Sequence, residues 1–201
     1  MLPRQTHINT LRVRYTGDDT RSLQLSLSNR LSCAEFQGAR LPPAAILLIR
    51  RLADPLPGEI AASSSMVGVN PAWERAVQDA VSECYRRAAR PSRGQMPANA
   101  DAVVFQDEAE LLACLQLDIR QGQAGHRWWW HACRPILGGR LPTLPTLMTT
   151  KARTLPASLH YLHTWGKASA VIGALAPAEV KPVFSCMLQT HGVQAGWLEQ
   201  W

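Results

Sequence analysis

Three consecutive tryptophans, Trp128, Trp129 and Trp130, constrain this chain more than any other feature; they lie in the stretch GHRWWWHACRP, residues 125–135. On a helix, three successive side chains fan across about 200°. On a strand, Trp128 and Trp130 share one face and Trp129 takes the other. One flat core face cannot receive all three rings. Either the segment is wedged between two packed layers and buries every indole, or at least one indole reaches the surface. A surface tryptophan is often retained for binding, because this residue dominates interface hot spots. On that second reading Arg127, Trp128, Trp129 and Trp130 form a partner-binding site. Stacking on nucleic acid is a third use, but stacking platforms carry a dense basic groove, and only Arg127 and Arg134 flank the run.

The neighbouring His126, His131 and Cys133 raise the question of metal. No pair that includes Cys133 has the i, i+3 or i, i+4 spacing that puts two ligands on one helix face. His160 and His163 do have i, i+3 spacing, but a pair alone is not a site. We therefore expect no metal and no cofactor.

Around this segment the sequence has the composition of a folded protein. Of 201 residues, 46% are hydrophobic and 18% charged, enough to build a core and too apolar for a disordered chain. The net charge is +6, and arginine outnumbers lysine 18 to 3. Residues 1–100 hold 13 basic and 8 acidic side chains, a net +5, and residues 101–201 hold 8 and 7, a net +1. The basic residues are spread out, with no run of five, which argues against a nucleic-acid-binding arm. No apolar run approaches the roughly 20 residues of a membrane span, and the N-terminus lacks the apolar stretch of a signal peptide. We expect a cytoplasmic protein with no membrane partner. Five scattered cysteines without a CxxC pair read as buried free thiols.

The chain divides by pattern. In residues 8–16, INTLRVRYT, Leu11, Val13 and Tyr15 alternate with Arg12 and Arg14, the signature of a half-buried strand with a basic outer face. TRSLQLSLSNRL, 20–31, fits a helix or a strand, with helix preferred. AILLIRRL, 45–52, reads as a buried strand, and residues 56–70 as a loop at a boundary. Asn70 and Pro71 then cap and open a helix over 71–89, with Trp73, Val77, Val81 and Cys84 on its apolar stripe. AVVF, 102–105, is a short strand. Asp107 and Glu110 cap a helix that buries Ala109, Leu111, Leu112, Leu115 and Ile119. Residues 136–155, rich in Pro, Leu and Thr, read as an extended connection. Three short helices follow, over about 156–164, 167–175 and 178–191, the last weakened by Pro182 unless this residue lies in its first turn. The expected fold is α+β: a small N-terminal β-containing unit, 1–60, packed on a mainly helical remainder, 61–201.

No G-x-S-x-G, HExxH, P-loop or G-x-G-x-x-G motif occurs. Two longer stretches carry a resemblance. THINTLRVRYTGDDTRSLQLSLSNRL (6–31), followed by LPPAAILLIRRLADPLPG (41–58), resembles the N-terminal region of the tape-measure proteins of contractile injection systems. AVVFQDEAELLACLQLDIRQGQAGHRWWW (102–130), followed by LPASLHYLHTWGKASAVIGALAPAE (155–179), resembles uncharacterised accessory proteins of the same phage-tail-like gene clusters. A ruler needs a long chain, so the resemblance implies an accessory or assembly role: an adaptor, a chaperone for the ruler, or a baseplate or cap component. It carries over no functional residues. The expected function is thus a non-enzymatic protein-interaction component of such a particle, with the other particle proteins as partners. The alternatives are an enzyme whose Cys, His and Asp residues meet only in space, and a basic nucleic-acid binder.

Overall fold

A computed structural model describes residues 6–13, 19–34, 36, 41–57, 70–94, 100–135 and 137–194. The architecture is α+β and mainly helical, with one two-stranded antiparallel sheet. The chain forms two units: Met1–Pro43 with Arg51–Ala88, and Ala44–Arg50 with Ala89–Trp201. The division expected near residue 60 lies outside the described residues.

In the first unit, α1 (Thr20–Cys33) starts where Asp19 accepts a hydrogen bond from the Ser22 N–H at 2.9 Å. This is an N-cap that satisfies one of the helix's orphan donors. The helical reading of 20–31 therefore holds over the strand reading. Leu27 is buried and Leu25 is exposed. Helix α2 (Pro71–Arg87) opens as its sequence demands: the Asn70 side chain accepts from Ala72 N–H at 2.9 Å, and Pro71 occupies the first turn. Trp73, Val77 and Val81 form its buried stripe. The Trp73 indole donates to Asp54 at 2.9 Å and meets the Phe36 ring edge-on.

The N-terminal strand expectation is corrected. Residues 8–13 form no strand, and Ile8, Leu11 and Val13 are 45%, 52% and 50% exposed; residues 14–16 lie outside the described residues. Alternation makes a segment fit for a sheet, but a strand exists only where another strand bonds to it.

The second unit holds both strands. β1 (Ile46–Ile49) pairs antiparallel with β2 (Ala102–Phe105), Ile46 opposite Phe105 and Ile49 opposite Ala102. Ala89 makes a parallel bridge to Val103 on the other side of β2. β2 is fully buried, while β1, expected to be buried, is only half-buried along its length.

Helix α3 (Glu108–Arg120) is the axis of the unit. It buries Ala109, Leu111, Leu112 and Leu115 as expected, leaves the expected Ile119 half-buried, and also buries Ala113, Cys114, Gln116 and Asp118. A helix covered on all sides belongs in an interior. One side joins Val103, Phe105, Trp129 and Trp130 in a first apolar cluster. The other faces a second, built from α5 (Leu144–Thr150), α6 (Leu155–Thr164), α7 (Ala168–Ile172) and α8 (Pro177–Thr190). α4 (Trp128–Ala132) carries the tryptophans.

Helix α5 overturns the extended reading of 136–155. Pro145 sits in its first turn, where a missing N–H costs nothing, and Leu144, Leu147 and Met148 are buried at i, i+3 and i+4. Pro145 acts there as a helix opener. Helix α8 does run through Pro182, inside the helix beyond the first turn, and Gly192 leaves it with φ 67°, a left-handed conformation that suits glycine.

Candidate functional site

The tryptophan segment sits where β2, α3 and α4 meet. Trp130 is fully buried and stacks on Phe105 of β2, with ring centroids 5.6 Å apart. Its indole N–H donates to Asp118 Oδ2 at 2.7 Å. Trp129 is 5% exposed, with its ring edge-on to those of Trp128 and Trp130. Trp128 is half-buried, and its indole donates to the Ala100 carbonyl at 2.9 Å. The fan of three indoles is thus absorbed by three surroundings: a strand, a loop carbonyl and the helix's own neighbours. Of the four residues expected as partner contacts, Trp129 and Trp130 lie in the core. Only Arg127 and Trp128 keep part of their surface.

Arg127 closes the arrangement. Its Nε lies 2.9 Å from Asp118 Oδ2, an ion-pair contact that lacks the alignment of a hydrogen bond. Its guanidinium stands 5.1 Å from the Trp129 ring centroid, within cation–π range. Burial raises the Asp118 carboxyl above its ordinary value, opposed by the Trp130 hydrogen bond and by the Arg127 charge. One carboxylate therefore ties α3 to two consecutive parts of the tryptophan segment. Asp118 is not among the residues expected to form a site. The signal was there: an acidic residue in the last turn of a helix opposes the macrodipole, so another partner must hold it.

The start of α3 is a second polar junction. Asp107 caps the helix by accepting from Glu110 N–H at 2.8 Å, as expected. The reciprocal half differs: Glu110 takes the Gln106 N–H and the Ser92 hydroxyl. Tyr161 of α6 donates to Asp107 Oδ2 at 3.0 Å, and Lys151 meets Glu108 at 3.0 Å. Burial, with the Asp107 hydrogen bond second, pushes the Tyr161 phenol up to about 12. All three acids are engaged by other elements, so this group is a structural clamp on the helix start.

Cys114 and Cys133 are buried, and desolvation raises both thiols, Cys133 to about 12. Neither supplies a thiolate near neutral pH. His126, His131, His160 and His163 are exposed, and His131 Nε2 is 2.9 Å from the Gly125 carbonyl. Among the described residues no group of three or more His, Cys, Asp or Glu side chains is placed to hold a metal ion. Among them, too, no helix is long and apolar enough to cross a membrane.

No protein-family model, curated protein or solved structure matches this chain.

The apolar surface lies elsewhere. The exposed large hydrophobic side chains among the described residues are Ile8, Leu11, Val13, Leu25, Leu52 and Val193, and all but Val193 belong to the first unit. Ile8, Leu11 and Val13 fall within six residues of one another.

Proposed function

We propose that this chain is a non-enzymatic, cytoplasmic protein-interaction or assembly component of a contractile injection particle, acting as an adaptor, chaperone, baseplate or cap accessory. The observation that carries the interaction reading is the concentration of exposed apolar side chains at Ile8, Leu11 and Val13, beside Arg12. Leaving large apolar groups in water forgoes about 1.5–3 kcal/mol for each that could be buried, and a grouped set of them marks a surface to be covered. The particle is named by the resemblance of 6–31 and 41–58 to tape-measure N-termini, and the exposed residues fall inside the first of these stretches. Arg127 and Trp128 are a secondary contact, reached without opening the core.

The test is affinity capture of the tagged chain from its native host, read by mass spectrometry. Recovery of sheath, tube, baseplate or ruler proteins supports the proposal. Recovery of unrelated metabolic proteins, or of none, removes the particle assignment.

A further inference from the structure

Among the described residues, the sheet of the second unit is closed on one side and open on the other. Arg50 N–H donates to the Asp101 carbonyl at 2.8 Å, next to the pair Ile49–Ala102. Bonded pairs alternate along an antiparallel ladder. The backbone groups of Ile46, Leu48 and Arg50 therefore turn towards β2, and those of Leu47 and Ile49 turn away. On the far side of β2 the outward groups are taken: Ala89 N–H bonds Ala102 O at 3.0 Å, and Val104 N–H bonds Ala89 O at 2.9 Å. Among the described residues no backbone group bonds Leu47 or Ile49. The strand ILLI, though only four residues long, has no proline, charge or bulge, three of the devices that keep a free edge from pairing. Where it ends stands Arg50, exposed and without an ion-pair partner among the described residues.

We propose that the outer edge of β1 takes up, antiparallel, an extended segment of a partner protein, apolar at alternate positions and headed by an acidic residue set beside Arg50. The N–H and C=O groups of Leu47 and Ile49 supply the main-chain bonds, as in strand addition generally. Arg50 selects by charge. A second copy of this chain is a poorer occupant. It carries +6, and antiparallel pairing of two ILLI edges offers Arg50 no carboxylate. The inference stands on the sheet alone and does not depend on which particle the chain serves.

The test uses the full chain and an acetylated peptide of one glutamate followed by alternating valine and threonine. Hydrogen exchange is read by NMR at the Leu47 and Ile49 amides. The peptide should slow both by about tenfold or more at saturation, as new main-chain bonds do. A lysine-headed peptide should bind worse, and Arg50→Glu should invert that preference. Ile49→Pro removes an outward N–H and leaves the ladder to β2 intact, as edge strands allow, so it should weaken binding. If Ile49→Pro fails to fold, the charge swap decides alone. Unchanged exchange at both amides, or equal binding of the two peptides, overturns the proposal. Protection that grows with protein concentration in the absence of peptide also overturns it, by placing a second copy at the edge.

Discussion

Two apolar runs in this chain, each beside arginine, meet opposite fates. Trp128–Trp130 fan in three directions and yet two rings are buried and the third half-covered. Leu11 and Val13 follow the simpler rule of alternation and, like Ile8 nearby, stand about half in solvent. Side-chain hydrophobicity does not separate them; surroundings do. The tryptophans have a strand to stack on, a carboxylate for one N–H and a carbonyl for another. The N-terminal segment has no bonded strand among its described residues. An apolar pattern states what a segment can bury, while the rest of the chain decides whether it does so alone or with a partner.

The largest effect should come from emptying the best-surrounded site. Trp130→Ala removes a fully buried indole and its bond to Asp118, and should cost about 3–5 kcal/mol, read from the urea unfolding midpoint. A loss below about 1 kcal/mol would mean the tryptophan segment is not core, and the contrast between the two runs would collapse.

Next is Asp118→Ala, which strands Trp130 Nε1 and leaves Arg127 without its ion-pair partner. About 3 kcal/mol is expected. The isosteric Asp118→Asn sharpens the test through pH. The folded-state carboxyl is raised, so the folded protein binds the proton more tightly than the unfolded chain. That stabilisation is fully present below the unfolded carboxyl's value and is lost as pH rises through the folded one. Wild type measured against Asp118→Asn should therefore lose ground with rising pH across that window. The opposite slope would show that Arg127 and Trp130 outweigh burial.

Tyr161→Phe should cost about 1 kcal/mol, the worth of one hydrogen bond to Asp107. It should also abolish a phenol titration near 12 in the ultraviolet. The smallest stability effect should come from the exposed run. Leu11→Asp with Val13→Asp should move the unfolding midpoint by no more than about 0.5 kcal/mol in equivalent stability. A larger shift would place these residues against other parts of the chain.

Much of the helical part was legible in sequence because its signals are local. Asn70-Pro71 and Asp107 announce helix starts by cap chemistry, and the stripe Trp73, Val77, Val81 fixes the buried face of α2. AVVF gave β2 directly, and AILLIRRL gave β1 although not its half-open state. Helix α5 was missed because Pro145 reads as a breaker until its place in the first turn is known. The site was less legible. Three tryptophans in a row say that rings must be housed, but not that Phe105, Asp118 and Ala100 house them. Those partners come from 12 to 28 residues away for the two indole hydrogen bonds, and pairing at that separation leaves no periodicity to read. Asp118 left only its unfavourable place at a helix C-terminus as a trace.

The most direct measurement is affinity capture from the native host with two baits, the wild-type chain and Leu11→Asp/Val13→Asp, each checked for the same unfolding midpoint. If the exposed run is the contact, sheath, tube, baseplate or ruler proteins come down with wild type and are lost with the variant while its stability is unchanged. Equal recovery with both baits would contradict the account and return attention to Arg127 and Trp128.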